Sequence, residues 1–213
     1  MGQSIHPKGY RLATNKDWNS IWHDDRNYAD LLHEDIDIRE YLHDRLKLAA
    51  LDRVVIQRSI NRVDVDIYVG KPGMVIGRGG SRVESIKEDL SKMTTGKMNL
   101  NVYEVRKPDL SASITAQEIA RRLERRMSFK RVAIQSMQRA KDAGADGIKI
   151  HISGRLGGNS IARTEKYVQG SVPTSTIDAN IDYAFETSYT NKGTIGVKVW
   201  IYTKEDREDD RSA

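Results

Sequence analysis

Cysteine is absent from the 213 residues. That excludes disulfides, thiolate zinc sites and cysteine nucleophiles. There is no run of about 18 apolar residues, so no membrane-spanning helix is expected. The opening "MGQSIHPKGYR" has no apolar h-region, so no secretory signal is expected and the default compartment is the cytosol. It begins Met-Gly, yet His6 stands where a myristoylation site needs Ser or Thr. His6, His23, His33, His43 and His151 form no H-E-x-x-H pattern, and no G-x-S-x-G elbow occurs. Asp64 and Asp66 share the polar face of one strand-like run, where paired acids are ordinarily solvated. No catalytic centre, no metal site and no cofactor is expected.

What is present is charge. Hydrophobic residues make up 38% and charged residues 31%, which suits a polar globular chain of one or two domains rather than disorder. The formal net charge is +5, a modest bias toward polyanionic partners. Its distribution says more than its total. Residues 106 to 141 hold ten Lys and Arg against three Asp and Glu, a local excess larger than that of the whole chain. Residues 17 to 44 are acidic, and so is the end, "KEDREDDRSA". Such runs are ordinarily solvated faces; a compact basic block in a balanced chain is harder to explain that way.

Pattern divides the chain into four parts. Residues 1–16, with Gly2, Pro7 and Gly9 and no period, predict an extended basic arm. Residues 17–107 open with a helical pattern from Trp18 to Leu48, in which Asp35, Ile38, Tyr41, Leu42 and Leu46 recur at three- and four-residue steps. Strand-like runs follow at 53–60 and 61–70, joined as a hairpin, with Val63, Val65, Ile67 and Val69 alternating. After Pro72 and Gly73 come "GMVIG", a glycine loop, a helix from Ser81 and a third strand, "KMNLNVYEV". Ser81 reads as the N-cap, with Glu84 three residues on.

Residues 108–203 predict two helices, about 113–127 and 129–143, then four strands on a mostly antiparallel sheet. The first helix is expected to bury Ala116, Ile119, Ala120, Leu123 and Met127. The second should bury Phe129, Val132, Ala133, Met137 and Ala140, with Gly144 at its end. Residues 204–213 read as a disordered acidic tail. The fold class is α+β.

The loop Gly77-Arg78-Gly79-Gly80 has several readings. A dinucleotide fingerprint fails because Arg82 stands where its third glycine belongs, and no P-loop string occurs. What remains is a Gly-x-x-Gly loop between two helical segments. It is either a plain helix corner or the clamp by which KH domains hold nucleic-acid backbone. Terminal glycines let phosphates approach the main chain, and the following helix offers free N–H groups and the positive end of its dipole. The strand–strand–helix–loop–helix–strand order favours the KH reading.

The densest basic cluster is "RRLERRMSFKR", residues 121–131. On one continuous helical pattern Arg121 would lie over Arg125, and Arg122 over Arg126 and Lys130. Like charges so placed destabilise an isolated helix, and a polyanion would offset them. Neutralisation by Glu118 and Glu124, with the rest solvated, is the alternative. "SGRLGGNSIART" (153–164) is either a hairpin loop or a second phosphate contact through Arg155 and Arg163.

Several ordered motifs together resemble one family. "MGQ..HP.G.RL", "PGMVIGRGG", "VRKPDL", "ARRLERRMSFKR", "SGRLGG..IARTE.Y", "IDYAF" and "GTIGVKVWIY" are similar to bacterial-type ribosomal protein three of the small subunit, from Met1 to about Tyr202. The resemblance implies a type II KH domain followed by a C-terminal two-helix plus antiparallel-sheet domain. It implies a place in the subunit head, binding small-subunit rRNA beside proteins ten and fourteen. With proteins four and five the family lines the channel through which mRNA enters and is associated with unwinding mRNA there.

By position, Lys130 and Arg131 match the family's mRNA-facing basic pair, and Arg126 is grouped with them. Gly77, Arg78, Gly79 and Gly80 form the RNA-binding loop. Lys8, Arg11, Arg106, Lys107, Arg122, Arg155, Arg163 and Lys166 are the residues expected to face rRNA. The chain departs from the family at Ile134 and Gly79, where basic residues are common, and at Asp178, where an arginine is common. A ribosomal constituent predicts cosedimentation with small subunits. A free-standing KH regulator or chaperone predicts a soluble pool. A nucleic-acid-cleaving enzyme predicts turnover by the purified protein.

Overall fold

The computed structural model describes residues 5–94 and 96–204, so all but the first residue of the expected acidic tail lies outside the described residues. In chain order the elements are α1 (Pro7–Tyr10), β1 (Ser20–Ile21), α2 (Tyr28–Arg45), β2 (Leu51–Ser59), β3 (Arg62–Val69), α3 (Pro72–Ile76) and α4 (Ser81–Ser91). There follow β4 (Lys97–Glu104), α5 (Ala112–Glu124), α6 (Phe129–Asp142), β5 (Gly147–Gly154), β6 (Arg163–Gly170), β7 (Ile181–Thr190) and β8 (Gly193–Tyr202). The chain forms two units: residues 18–106, and the residues up to 17 together with those from 107 onward.

Residues 18–106 build a four-stranded sheet in the order β1-β2-β3-β4. β2 and β3 are an antiparallel hairpin, while β1 and β4 pair in parallel with β2 and β3. Alternation decides the packing: Val63, Val65, Ile67 and Val69 point to one face. There they join Val54 and Ile56, Ile38, Leu42 and Leu46 of α2, Val75 of α3, and Ile86 and Leu90 of α4 in one core.

The expected helix from Trp18 begins instead at Tyr28. The Asp24 carboxylate accepts from the main-chain N–H of Arg26 (2.8 Å) and Asn27 (2.9 Å) and folds the chain into a local turn. The residues before it lie along β2, where Ile56 N–H donates to the Asn19 carbonyl at 2.9 Å. They are fixed by Asp35, a buried carboxylate on α2. It accepts from Ser20 Oγ (3.0 Å), Trp22 Nε1 (2.8 Å) and Arg58 Nε (2.8 Å). Arg58 also meets Glu34 at 2.8 Å. A buried carboxylate is tolerable only with partners of this kind.

The second unit places α5 and α6 on one face of an antiparallel sheet ordered β6-β5-β8-β7. Ile148, Ile150 and Ile152 of β5 and Val197, Val199 and Ile201 of β8 pack against Ala116, Ile119, Leu123, Val132, Ala133 and Met137. Two amides at the start of α5 find acceptors: Ile114 N–H donates to Ser111 Oγ (3.2 Å) and Ala112 N–H to the Asp182 carboxylate (2.8 Å). Met127, expected in the core, lies beyond the end of α5 and is 37% exposed.

The extended arm expected over residues 1–16 is a correction as well. Its described part carries α1 and folds onto the second unit. Arg11 is fully buried, and its guanidinium donates to the carbonyls of Ala179 (2.8 Å), Pro7 (3.0 Å), Thr174 (3.0 Å) and Thr176 (2.7 Å). The charge is accommodated because these carbonyl dipoles replace water.

Candidate nucleic-acid interface

The glycine loop is built by backbone conformation. Gly77 has φ 71° and ψ −174°, Gly79 φ 62°, and Gly80 φ 82°. All three lie where a Cβ is disfavoured. At Gly77 a Cβ would also come within 2.8 Å of Arg82 Cγ, because the Arg82 side chain crosses there to donate from Nη1 to the Met74 carbonyl at 3.0 Å. A Cβ at Gly79 or Gly80 would meet nothing within 4 Å, so the approach to the main chain is open.

Ser81, expected as N-cap, is instead the first residue of α4, and its Oγ donates to the Arg78 carbonyl at 3.1 Å. Gly80 holds the cap position and provides no side-chain acceptor. Ser81 N–H donates to the Arg78 carbonyl, no side chain caps the amides that follow it in α4, and Arg78 is exposed beside them.

The basic cluster is reshaped by a break. α5 ends at Glu124, Arg126 takes the left-handed conformation (φ 60°), and α6 starts at Phe129. Arg122, Arg126 and Lys130 therefore do not stack on one helix, and that expectation is corrected. Arg125, Arg126, Lys130 and Arg131 gather at the corner instead. All four are exposed, and among the described residues none makes an ion pair. Arg125 belongs with the group although sequence reasoning had not selected it. The boundary at Ser128, the N-cap of α6, was expected from the sequence; what was missed is that the Arg122–Arg126–Lys130 spacing cannot run across it.

Several of the other cations are held by partners in the chain. Arg122 donates to Gln135 (2.8 Å) and to Glu118, and Arg139 reaches the same Glu118 at 2.8 Å, so this cluster ties α5 to α6. Arg11 is buried, as described, and leaves the RNA-facing set. Lys8 is paired with Asp182 at 3.3 Å. Arg155 donates to the carbonyls of Asn159 (2.9 Å) and Lys192 (3.1 Å) and holds its own loop in shape. Arg163 pairs with Glu165 (3.2 Å) and lies 5.8 Å from the Phe129 ring, which puts it near the start of α6. Lys166 points to the opposite face of the sheet. Arg106 and Lys107 are exposed.

His151, expected to be a structural ring, lies 4.8 Å from the Trp200 ring. Burial first, then Lys149, Lys166 and Lys198, push its pKa down to about 4. Asp64 and Asp66 accept from the Asn99 and Asn101 side chains, each at 2.9 Å. The described residues contain no group of three or more metal-ligating side chains, and no described helix is long and apolar enough to cross a membrane.

A three-stranded core with a helix–Gly-x-x-Gly–helix insertion defines a KH-domain protein, and residues 37–110 match the family model described as KH domain. Residues 119–201 match that of ribosomal protein S3, C-terminal domain. The small ribosomal subunit proteins uS3 of Listeria welshimeri and Halalkalibacterium halodurans are each 49% identical over 205 residues, covering 96% of this chain and 94% of theirs. That of Bacillus cytotoxicus is 50% identical over the same span. The chain belongs to the uS3 family of small ribosomal subunit proteins. That family is structural and non-enzymatic.

Proposed function

We propose that this chain is built into the head of the small ribosomal subunit in the cytoplasm. There it binds small-subunit rRNA and lines the channel through which mRNA enters. The observation that carries the reading is the α5–α6 corner: four exposed cations, with no carboxylate in ion-pair reach among the described residues. Such a corner concentrates unneutralised charge where phosphates can displace counterions. Lys130, Arg131 and Arg126 face mRNA and contribute to its placement and unwinding. The Gly77–Gly80 loop clamps backbone at its exposed glycines, beside the uncapped start of α4. Proteins ten and fourteen are neighbours, with four and five near the mouth of the channel.

Reconstituted subunits carrying Lys130→Ala and Arg131→Ala test this. Assembly is expected to proceed, with weaker unwinding of structured mRNA. Loss of assembly would reassign the pair to rRNA. A protein found mostly free of small subunits at physiological salt would overturn the ribosomal reading and favour a free-standing RNA-binding regulator.

A further inference from the structure

The sheet of the second unit has one face under α5 and α6; its other face carries a set of side chains that only strand register brings together. Across β6, β5, β8 and β7 one row reads Val168, Lys149, Trp200, Tyr183, and the next reads Lys166, His151, Lys198, Phe185. Lys166 and Lys198 are exposed, and Val168 and Phe185 are 57% and 54% exposed. The rings form a continuous path: Tyr183 lies 5.1 Å from Trp200, and His151 4.8 Å from it. Lys149 Nζ sits 5.1 Å from the Trp200 ring and Lys198 Nζ 5.9 Å from Phe185.

Among the described residues no carboxylate shares this face. Glu165, Asp182 and Glu186 alternate to the helix side of β6 and β7, opposite Ile152, Ile201 and Val197. Among the described residues none of the three lysines makes an ion pair. Like charges set across neighbouring strands destabilise a sheet, and between Lys166 and Lys198 lies His151, whose Nε2 is buried without a hydrogen-bond partner. Lysines interleaved with aromatic faces and free of acids match the chemistry of an unpaired RNA strand, whose phosphates take the ammonium groups and whose bases stack on rings.

We infer that this face of the β6-β5-β8-β7 sheet, outside its Tyr183 end, which His6 covers at 5.0 Å, is a second RNA-binding platform in which Lys149, Lys166 and Lys198 hold phosphates and Trp200 and Phe185 stack bases. The inference rests on the RNA-binding reading above and adds a surface separate from the glycine loop and the α5–α6 corner.

The test is titration of the full-length protein with an oligouridylate of about 12 nucleotides, followed by tryptophan emission. Trp18 and Trp22 belong to the other unit, so the signal is the difference between wild type and Trp200→Phe. A quench present in wild type and lost in Trp200→Phe is expected. Lys166→Ala/Lys198→Ala, which alters only exposed side chains, should weaken binding about tenfold and reduce the dependence of log K on log salt by about 1.4. RNA binding with no Trp200 quench, or with the salt slope of the lysine pair unchanged, overturns the platform and leaves the proposed function standing. Failure of the wild-type chain to bind RNA at all overturns both. Equal displacement of the quench by polyglutamate would assign the face to an acidic protein instead.

Discussion

At Gly77–Gly80 the chain passes between two helices through three glycines with positive φ and a single cation, Arg78. Between α5 and α6 it makes a similar passage with Arg126 in the left-handed conformation, flanked by Arg125, Lys130 and Arg131. A left-handed arginine costs about 1–2 kcal/mol relative to glycine. The first corner spends its residues on access to the main chain, and the second on charge. They suit two modes of holding a polyanion: amides that meet phosphate at close range, and flexible cations that meet it over a distance. Abundance of arginine alone does not mark either corner, since Arg11, Arg58 and Arg122 are all bonded internally.

Arg58→Ala should have the largest effect of any change that sharpens this contrast. It takes the cation from the buried Asp35, leaving only the Ser20 and Trp22 donors, and about 3–5 kcal/mol of stability should be lost in urea unfolding. Lys130→Ala, the same loss of one positive charge at the exposed corner, should change stability by less than about 0.5 kcal/mol. Equal losses would erase the distinction between internal and outward cations.

Gly77→Ala comes next. It combines a glycine-only conformation with a clash against Arg82, and about 1–3 kcal/mol should be lost. Gly79→Ala meets no neighbouring atom and should lose less. Thermal unfolding of the two variants separates them; a larger loss at Gly79 would mean that Arg82 does not set the shape of the loop.

Smallest is Arg126→Gly, which relieves the left-handed strain. Stability should rise by about 1 kcal/mol or less while RNA affinity falls. A rise in both would show that Arg126 takes no part in RNA binding.

Much of this was legible before the structure. The alternation of Val63 to Val69, the Gly-x-x-Gly spacing and the order of elements led to the KH arrangement, because period-two burial and glycine punctuation are local signals. What escaped was set by distant partners. The start of α2 at Tyr28 depends on the Asp24 turn and on Asp35 receiving three donors from two other segments, Ser20 and Trp22 before it and Arg58 of β2. Arg11 looked like part of a basic arm because its four carbonyl partners include three that lie more than 160 residues away. The platform around Trp200 escaped for the same reason. β5, β6 and β8 contribute one lysine each and β7 none, and register alone gathers them.

The central claim is that RNA is held by the cations the fold leaves unpaired. It is tested most directly by the salt dependence of single-stranded RNA affinity in two double variants of the full chain. Lys130→Ala/Arg131→Ala should reduce the slope of log K against log salt by about 1.4, and Arg122→Ala/Arg155→Ala should leave it unchanged. An unchanged slope in the first, or an equal fall in the second, would contradict the account.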